Sequence, residues 1–485
     1  MCQVYLTSYY NNSIMLIINQ GGNVILMIKL CKHNQDNIIR QITNGKFDNI
    51  ALSESNLADD IILSMYEQGM LECISLNFKD KRRKNLSIPF NLILTLAIAA
   101  KMKVKTSVSD IPFAIQDHRV LAKIGYNIVD TKGNLKNALM RESSIRLLLR
   151  KYEQDELFSM YNYLVQNFIM PKLNVFPNIH ILDCTDLEVN LNNKNYENSD
   201  VTRNKHGDIS RGYKLGTIRG LYEDTGIIEE ICFGGLKTHD LNLTKDMIKN
   251  SKVFKEGDIL INDRGFLDRS LINYMKNIRK VDTYVPLRTN MTAYEVAVTA
   301  AQSCGEWELH PNRENQKICL VSNLGTYWES SKPKDDVEIN AVVVWDEESD
   351  NYFVFSTTDT SKNAKQIIMT YELRPEIEED YRQLKDFWLL DDFHSTKLNM
   401  IAFHIITVLL GYLFYQIYTT LPEGEIYAHK CLPVLLKNYK SKVMSRIIIY
   451  TGIDFGIFSI TEFAKLYAQC DDKIRKRLDN IFEKF

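Results

Sequence analysis

The N-terminal third of the chain places apolar side chains at helical spacing. In residues 57–70 and 90–102, apolar positions recur every three or four residues, which buries one face of a helix. Pro171 and Pro177 bracket the end of this region. The pattern predicts a helical domain over residues 36–170.

Beyond Pro177 the pattern changes to short apolar runs bounded by turn residues, which is typical of strands. The first three runs follow one another directly, and the turn residues between the second and third favour a hairpin. Helix-length segments separate the later runs, so the pattern indicates a mixed α/β fold. The five predicted strands are residues 179–182, 214–221, 226–233, 259–261 and 283–287.

A long stretch separates these runs from the polar segment at residues 371–385. It is too long for one strand and one loop. It contains three further strand-like runs, at residues 318–322, 339–345 and 352–356. We therefore predict a β-rich insertion at about residues 290–350.

Two apolar segments raise the question of a membrane. Residues 400–421 include a histidine and a glutamine and follow the polar segment closely, so a buried core helix is favoured over a membrane span. Residues 14–28 lack a basic leader and a cleavage site, which argues against a signal peptide. We expect no membrane partner, and we interpret residues 1–35 as an N-terminal extension with Met27 as an alternative initiator.

The nine cysteines are scattered and form no C-x-x-C pair. This argues against a zinc site or a disulfide framework, and it predicts a cytoplasmic protein in a reducing compartment. Cys184 is interpreted as a small buried hydrophobic residue because no base motif accompanies it.

The net charge of −2 counts against DNA binding, since duplex recognition depends on neutralising phosphates. Basic clusters nevertheless occur at residues 79–84, 437–446 and 473–477. A solvated surface is the usual explanation for such a run, and contact with DNA is the alternative. The first cluster contains Lys81, Arg82, Arg83 and Lys84.

Tyr371, Arg374, Glu378 and Lys385 recur at helical spacing. At about 100° per residue they would share a stripe about 60° wide on one helix. A carboxylate flanked by two cations and a phenol suits a site that binds a metal ion beside a phosphate backbone. A solvated face with charge pairs one turn apart is the alternative.

Pro375 follows Arg374 inside this segment. Proline removes a helical hydrogen bond and disfavours helical backbone at the residue before it. The helix either kinks there or restarts with Pro375 as its first residue. Glu378 and Lys385 share a face in both cases, whereas the placement of Tyr371 and Arg374 depends on which one occurs.

Two further acids follow predicted strands. Asp183 ends the run at residues 179–182, and Asp263 ends the run at residues 259–261 just before Gly265. Acids at strand ends are where metal sites on sheets are built. Each taken alone is also compatible with ordinary turn chemistry.

Together these residues resemble the DDE transposases of bacterial insertion sequences. Asp183, Asp263 and Glu378 resemble the acidic triad, and the pattern Y-x2-R-x3-E-x6-K resembles the signature of the insertion-sequence-four group. The segment from Asp263 to Phe266 is similar to that group's motif around the second acid. The resemblance covers about residues 88–420.

The resemblance implies an RNase H-like catalytic core interrupted by the β-rich insertion. It places this catalytic domain at residues 171–420 and DNA-end binding in the helical domain at 36–170. Residues 421–485 are expected to form a helical C-terminal segment with DNA or dimer contacts.

The same resemblance implies cut-and-paste transposition on double-stranded DNA by a homodimer, with two Mg²⁺ ions that Mn²⁺ can replace. Asp183 would bridge the ions, and Asp263 and Glu378 would each hold one. Arg374 and Lys385 would contact phosphates, and Tyr371 would bind a phosphate or orient Arg374. Further DNA contacts are expected from Lys81, Arg82, Arg83 and Lys84.

Two alternatives remain open at the level of the sequence. One is a DNA nuclease on the same core that makes no strand transfer. The other is a domesticated DNA-binding protein that has lost catalysis.

Overall fold

The computed structural model describes most of the chain and divides it into two compact units. The discontinuous unit consists of Met1–Gln154 with Phe387–Phe485, and the central unit consists of Asp155–Asp386. The described residues are 14–18, 24–53, 56–78, 80–82, 90–115, 117–130, 142–203, 207–222, 225–327, 336–438 and 446–483.

Both helices and strands occur in each of the two units, among the residues that the structure describes. The first part contains β1 (Ile14–Ile18), β2 (Val24–His33), α1 (Gln35–Thr43), β3 (Asn49–Ser53), α2 (Leu57–Glu67), α3 (Met70–Asn77), α4 (Phe90–Met102), α5 (His118–Ile124), β4 (Tyr126–Asp130) and α6 (Glu142–Leu149). The central part begins with α7 (Gln154–Leu164), α8 (Met170–Leu173), β5 (Ile179–Val189), β6 (Asp200–Arg203), β7 (Ile209–Tyr222), β8 (Thr225–Gly235), α9 (Asp240–Asn250), β9 (Ile259–Asn262), α10 (Arg269–Tyr274) and β10 (Asp282–Pro286).

It continues with α11 (Thr292–Cys304), β11 (Glu308–Leu309), β12 (Gln316–Val321), β13 (Asn340–Asp346), β14 (Asn351–Thr357), α12 (Ala364–Tyr371) and α13 (Pro375–Asp386). The last part contains α14 (Leu398–Thr420), α15 (Leu432–Asn438), β15 (Arg446–Thr451), β16 (Asp454–Phe458), α16 (Ile460–Gln469) and α17 (Asp472–Phe482).

The discontinuous unit contains a six-stranded sheet built from both ends of the chain. Its order is β1-β2-β16-β15-β3, with β4 paired to β2. This corrects the expectation that residues 36–170 and 421–485 are purely helical, and it makes β2 part of the sheet rather than of an extension. The helical prediction failed because a short strand is stabilised by its partners, and β3 pairs with β15 from the other end of the chain.

The long apolar helix α14 is a core helix of this unit. It is long and apolar enough to cross a membrane by length and composition, yet 94% of its most apolar window is buried. It packs against α4, and Gly411 lies where an added side chain would contact Met102 of α4 and Trp388. A buried core helix is what the sequence predicted.

The central unit is organised on a ten-stranded sheet in the order β11-β12-β13-β14-β10-β9-β5-β7-β6, with β8 paired to β7. β5, β7 and β8 are successively antiparallel, whereas β9 runs parallel to β5 and β10 runs parallel to β9. The strands predicted beyond Pro177 are present, with β7 and β8 pairing as the expected hairpin.

The β-rich insertion extends this sheet instead of forming a separate layer. β14 pairs antiparallel with β10, and β13 and β12 follow in order. Helix α11 covers one face of the added strands, and α12 covers the other. The insertion therefore shares a core with the strands that carry the candidate site.

Candidate active site

Strand pairing brings two of the predicted acids together. In the parallel pair of β5 and β9, Leu182 is in register with Asn262. Asp183 and Asp263 are the next residues along each strand. Neighbouring strands lie about 4.8 Å apart, so the two acids lie next to each other at the same end of these two strands.

Arg374 connects the third acid to the first. Its Nη2 lies 2.9 Å from Oδ2 of Asp183, and its Nη1 is hydrogen-bonded to Oε1 of Glu378. One guanidinium thus binds carboxylates from a strand of the central sheet and from α13. Its Nε is buried and has no hydrogen-bond partner among the described residues.

The charges of the other two acids act on Asp183 and on Tyr371. Burial raises the pKa of Asp183 to about 6; the nearby negative charges of Asp263 and Glu378 also raise it, whereas Arg374 and the Cys184 backbone N–H oppose the rise. Burial likewise raises the pKa of Tyr371 to about 12, with a further contribution from Asp263. Asp183 is therefore a buried carboxylate with two further acids nearby, one of them the exposed Glu378, and a positive charge beside it is favourable.

The signature residues do not lie on a single helix. Tyr371 ends α12, Arg374 lies in the following turn, and Pro375 begins α13. The single-stripe prediction is therefore wrong for Tyr371 and Arg374, and the restart at Pro375 is the alternative that occurs. Proline suits the first position of a helix because no helical hydrogen bond is needed there.

Two further side chains fix α13 onto the sheet, and neither was predicted from the sequence. The Tyr381 hydroxyl donates to the carbonyl oxygen of Asp183 at 2.8 Å. Arg219 of β7 is nearly fully buried, with its Nε 2.5 Å from Asp380 and its Nη1 2.9 Å from Glu376. An arginine in a strand indicates a buried ion pair only when its acidic partners are known. The partners of Arg219 lie more than 150 residues away in the sequence, so local spacing could not identify them.

Lys385 lies at the far end of α13. Its Nζ donates to the carbonyl oxygen of Asp186 at 2.6 Å, which ties the end of the helix to β5 beyond Asp183. Tyr371 packs its ring against Phe355, with centroids 4.6 Å apart. Lys385 is therefore tied to the strand of Asp183, whereas Tyr371 packs on β14.

The basic residues predicted to contact DNA outside this site lie in the discontinuous unit. Arg82 forms an ion pair with Asp80 at 2.7 Å, and its guanidinium lies over the ring of Phe90. Lys81 lies over the ring of Tyr152, 5.0 Å from its centroid. Arg83 and Lys84 lie outside the described residues.

In the part of the chain that the structure describes, no group of three His, Cys, Asp or Glu side chains is arranged to hold a metal ion. Asp183, Asp263 and Glu378 share a neighbourhood, but Arg374 bonds directly to the first and the last of them. In this arrangement a guanidinium balances the negative charge.

Residues 181–414 match the family model described as "Transposase DDE domain". This segment of the chain is therefore similar to a transposase DDE domain. No curated protein matches the chain.

Proposed function

We propose that the protein is a transposase that cleaves DNA at the ends of an insertion sequence and joins them to target DNA. The observation that carries the proposal is the convergence of Asp183, Asp263 and Glu378 around Arg374, from three elements far apart in sequence. Carboxylates with an adjacent cation suit phosphoryl transfer, which depends mainly on positioning and on electrostatic stabilisation.

The strand order supports an RNase H-like core. Strands β8, β7, β5, β9 and β10 are neighbours in that order; the first three in the chain are antiparallel, and the next two are parallel to β5. We place the catalytic centre at Asp183 on the central strand of this set. The match to a transposase domain over residues 181–414 supports this assignment.

We further propose that Asp183, Asp263 and Glu378 hold two Mg²⁺ ions, which Mn²⁺ could replace. The chemistry of the donors fits, because hard divalent cations prefer carboxylate oxygens, and the buried Asp183 carboxylate lies within the electrostatic influence of the other two acids. When bound, such ions supply an activated water and stabilise the leaving oxygen. Arg374 is bonded to one oxygen of Asp183 and one oxygen of Glu378, so bound ions would compete with the guanidinium for these two oxygens.

Two basic side chains near these acids, Arg374 and Lys385, are proposed to bind DNA. Arg374 and Lys385 are proposed to bind phosphates of the strand to be cleaved, because guanidinium and ammonium groups form charge-assisted hydrogen bonds with phosphate oxygens. Tyr371 would bind a phosphate or orient Arg374. Hydrolysis would leave a 3′ hydroxyl, which attacks a phosphodiester bond of the target DNA by in-line displacement.

The proposed partner is double-stranded DNA, bound by a homodimer of this chain. Transposase family membership implies DNA binding, although the net charge of −2 means that the cations must act locally. We propose that residues 36–170 recognise the element ends, with Lys81, Arg82, Arg83 and Lys84 among the contacts. Residues 421–485 would add DNA or dimer contacts.

The substitution Asp263→Asn tests the catalytic proposal. The amide has nearly the same shape as the carboxylate but lacks the charge that holds a hard cation. We expect cleavage of a plasmid carrying the gene and its flanking DNA to be abolished in Mg²⁺, while binding to that DNA is retained. Unchanged cleavage by a clean preparation would reject the assignment.

The products of the wild-type protein separate the remaining alternatives. Joined element and target DNA supports transposition, whereas cuts without joined products identify a nuclease on the same core. Binding with neither product identifies a DNA-binding protein without catalysis.

A further inference from the structure

A loop of the insertion contacts the turn that carries Arg374. We call His310, Asn312, Arg313 and Glu372 the Glu372 cluster. Nδ2 of Asn312 donates to Oε2 of Glu372 at 2.6 Å, and Nη2 of Arg313 lies 3.2 Å from Oε1. Nε2 of His310 lies 3.5 Å from the same Oε1. One hydrogen-bonded amide and two basic side chains from one short loop therefore surround one carboxylate.

The histidine of the Glu372 cluster is oriented by the loop itself. Its side chain is nearly fully buried, and its Nδ1 accepts the backbone N–H of Asn312 at 3.1 Å. Because Nδ1 accepts, the proton of the neutral ring lies on Nε2, the nitrogen that faces Glu372. The loop is thus arranged to receive a carboxylate at this position.

Glu372 lies where α12 ends and the turn to Arg374 begins. It caps the C-terminus of α12, with its N–H bonded to the carbonyl of Ile368 at 2.9 Å. Two residues later, the Arg374 N–H bonds to the Tyr371 carbonyl at 2.9 Å, which closes a tight turn. A shift of Glu372 would therefore be transmitted to Arg374 through a short, hydrogen-bonded connection.

We propose that Glu372 is a positioning residue for the active site. The loop from His310 to Arg313 holds its carboxylate and so keeps the turn between α12 and α13 where Arg374 reaches Asp183 and Glu378. The catalytic consequence rests on the proposed function, whereas the restraint on the turn is a property of the free protein. Packing of Tyr371 and Leu373 on the core is the competing explanation for an ordered turn.

Glu308 provides a matched control. Its Oε2 lies 3.2 Å from Nζ of Lys365, so this ion pair also joins the insertion to α12. It does so near the start of α12, whereas Glu372 lies at the end that leads to Arg374. Glu308→Ala therefore removes a more exposed ion pair between the insertion and α12 without touching the turn.

Hydrogen exchange on the full chain tests the restraint without any need for catalysis. Peptides that cover residues 370–378 should exchange about fivefold or more faster in Glu372→Ala than in the wild type, because the turn opens locally. The same peptides in Glu308→Ala should exchange at the wild-type rate within about twofold. Equal exchange in all three proteins would show that packing alone orders the turn and would overturn the proposal.

Single-turnover cleavage tests the catalytic consequence. Glu372→Ala should lower the cleavage rate about tenfold or more while the Kd for DNA stays within about twofold, because misplacing Arg374 costs orientation rather than binding. In an Arg374→Ala background, the added Glu372→Ala change should cost less than about twofold, because both act through one group. If the fold reductions in cleavage rate of the two single variants multiply in the double variant, Glu372 does not act through Arg374.

The two proposals fail in different ways. A wild-type protein that neither cuts nor joins DNA would reject the proposed function, and the exchange measurement would still decide whether Glu372 restrains the turn. Normal cleavage by Glu372→Ala, with wild-type activity established, would reject the positioning role alone.

Discussion

Tyr381 donates its hydroxyl hydrogen to the carbonyl oxygen of Asp183, 2.8 Å away. A phenol has one hydrogen, so the Thr217 hydroxyl, 2.6 Å from the Tyr381 oxygen, must donate to it. Thr217 is also the residue paired with Asp183 across β5 and β7. Helix α13, which carries Glu378, is therefore fastened to the sheet at the position of the first acid.

Tyr381→Phe keeps the buried ring but removes both hydrogen bonds. We expect the free energy of unfolding to fall by about 1–3 kcal/mol, because a buried carbonyl and a buried hydroxyl lose a partner. Cleavage should fall as well, since α13 loses its connection at Asp183. Urea unfolding and single-turnover cleavage measure the two effects. Tyr294→Phe, which removes a hydroxyl bond to the Tyr352 carbonyl within the insertion, should leave cleavage intact.

Arg374→Ala and Lys385→Ala should each lower DNA cleavage by about 100-fold or more, because a misplaced scissile phosphate loses the benefit of orientation. Cleavage and melting temperature are to be measured on the same preparations. Arg382 is the matched control on α13: its ion pair with Glu379 is exposed, and Arg382→Ala should leave cleavage within a few-fold of wild type. Near-normal cleavage by both Arg374→Ala and Lys385→Ala would show that these two cations are not needed for cleavage.

A buried histidine predicts how stability depends on pH. Nδ1 of His180 lies 2.6 Å from Glu229, and its Nε2 lies 3.2 Å from Asp258. Burial lowers the pKa of His180, but the two carboxylates outweigh this effect and raise it from 6.5 to about 9. A raised pKa means that the stabilisation is complete below about pH 6.5 and is lost as the pH rises towards 9.

We therefore expect the free energy of unfolding to decrease by about 1–3 kcal/mol between pH 6.5 and pH 9. Chemical denaturation at several pH values measures the slope. In His180→Gln the histidine contribution to the slope should disappear, and an identical slope in the variant would contradict the assignment.

The division into two units indicates which fragment should be used to test recognition of the DNA ends. Deleting residues 1–150 would remove β2 and β3, which pair with β16 and β15 near the other end of the chain. The fragment Asp155–Asp386 instead retains a sheet and core of its own. We expect it to bind flanking DNA weakly and without selectivity in gel-shift titrations. Binding as tight and selective as that of the whole chain would place end recognition in the central unit.

Local patterns were sufficient for much of the central unit. Short β-branched runs predicted β5, β7, β8, β9 and β10, and Pro375 indicated where a helix could restart. These features depend on neighbouring residues, through strand propensity and through the fixed backbone of proline. The three acids could be named as candidates because each follows an apolar run or lies among cations at helical spacing.

Only the tertiary structure decided how these parts combine. The register of β5 against β9 places Asp183 beside Asp263, and the turn before Pro375 lets Arg374 bond to two acids at once. The sheet made from both ends of the chain and the attachment of α13 through Tyr381 were likewise not predictable. Each of these contacts joins residues that are far apart in sequence. Packing and the need to satisfy buried hydrogen-bonding groups select such pairs across the whole fold, so the local spacing of residues does not predict them.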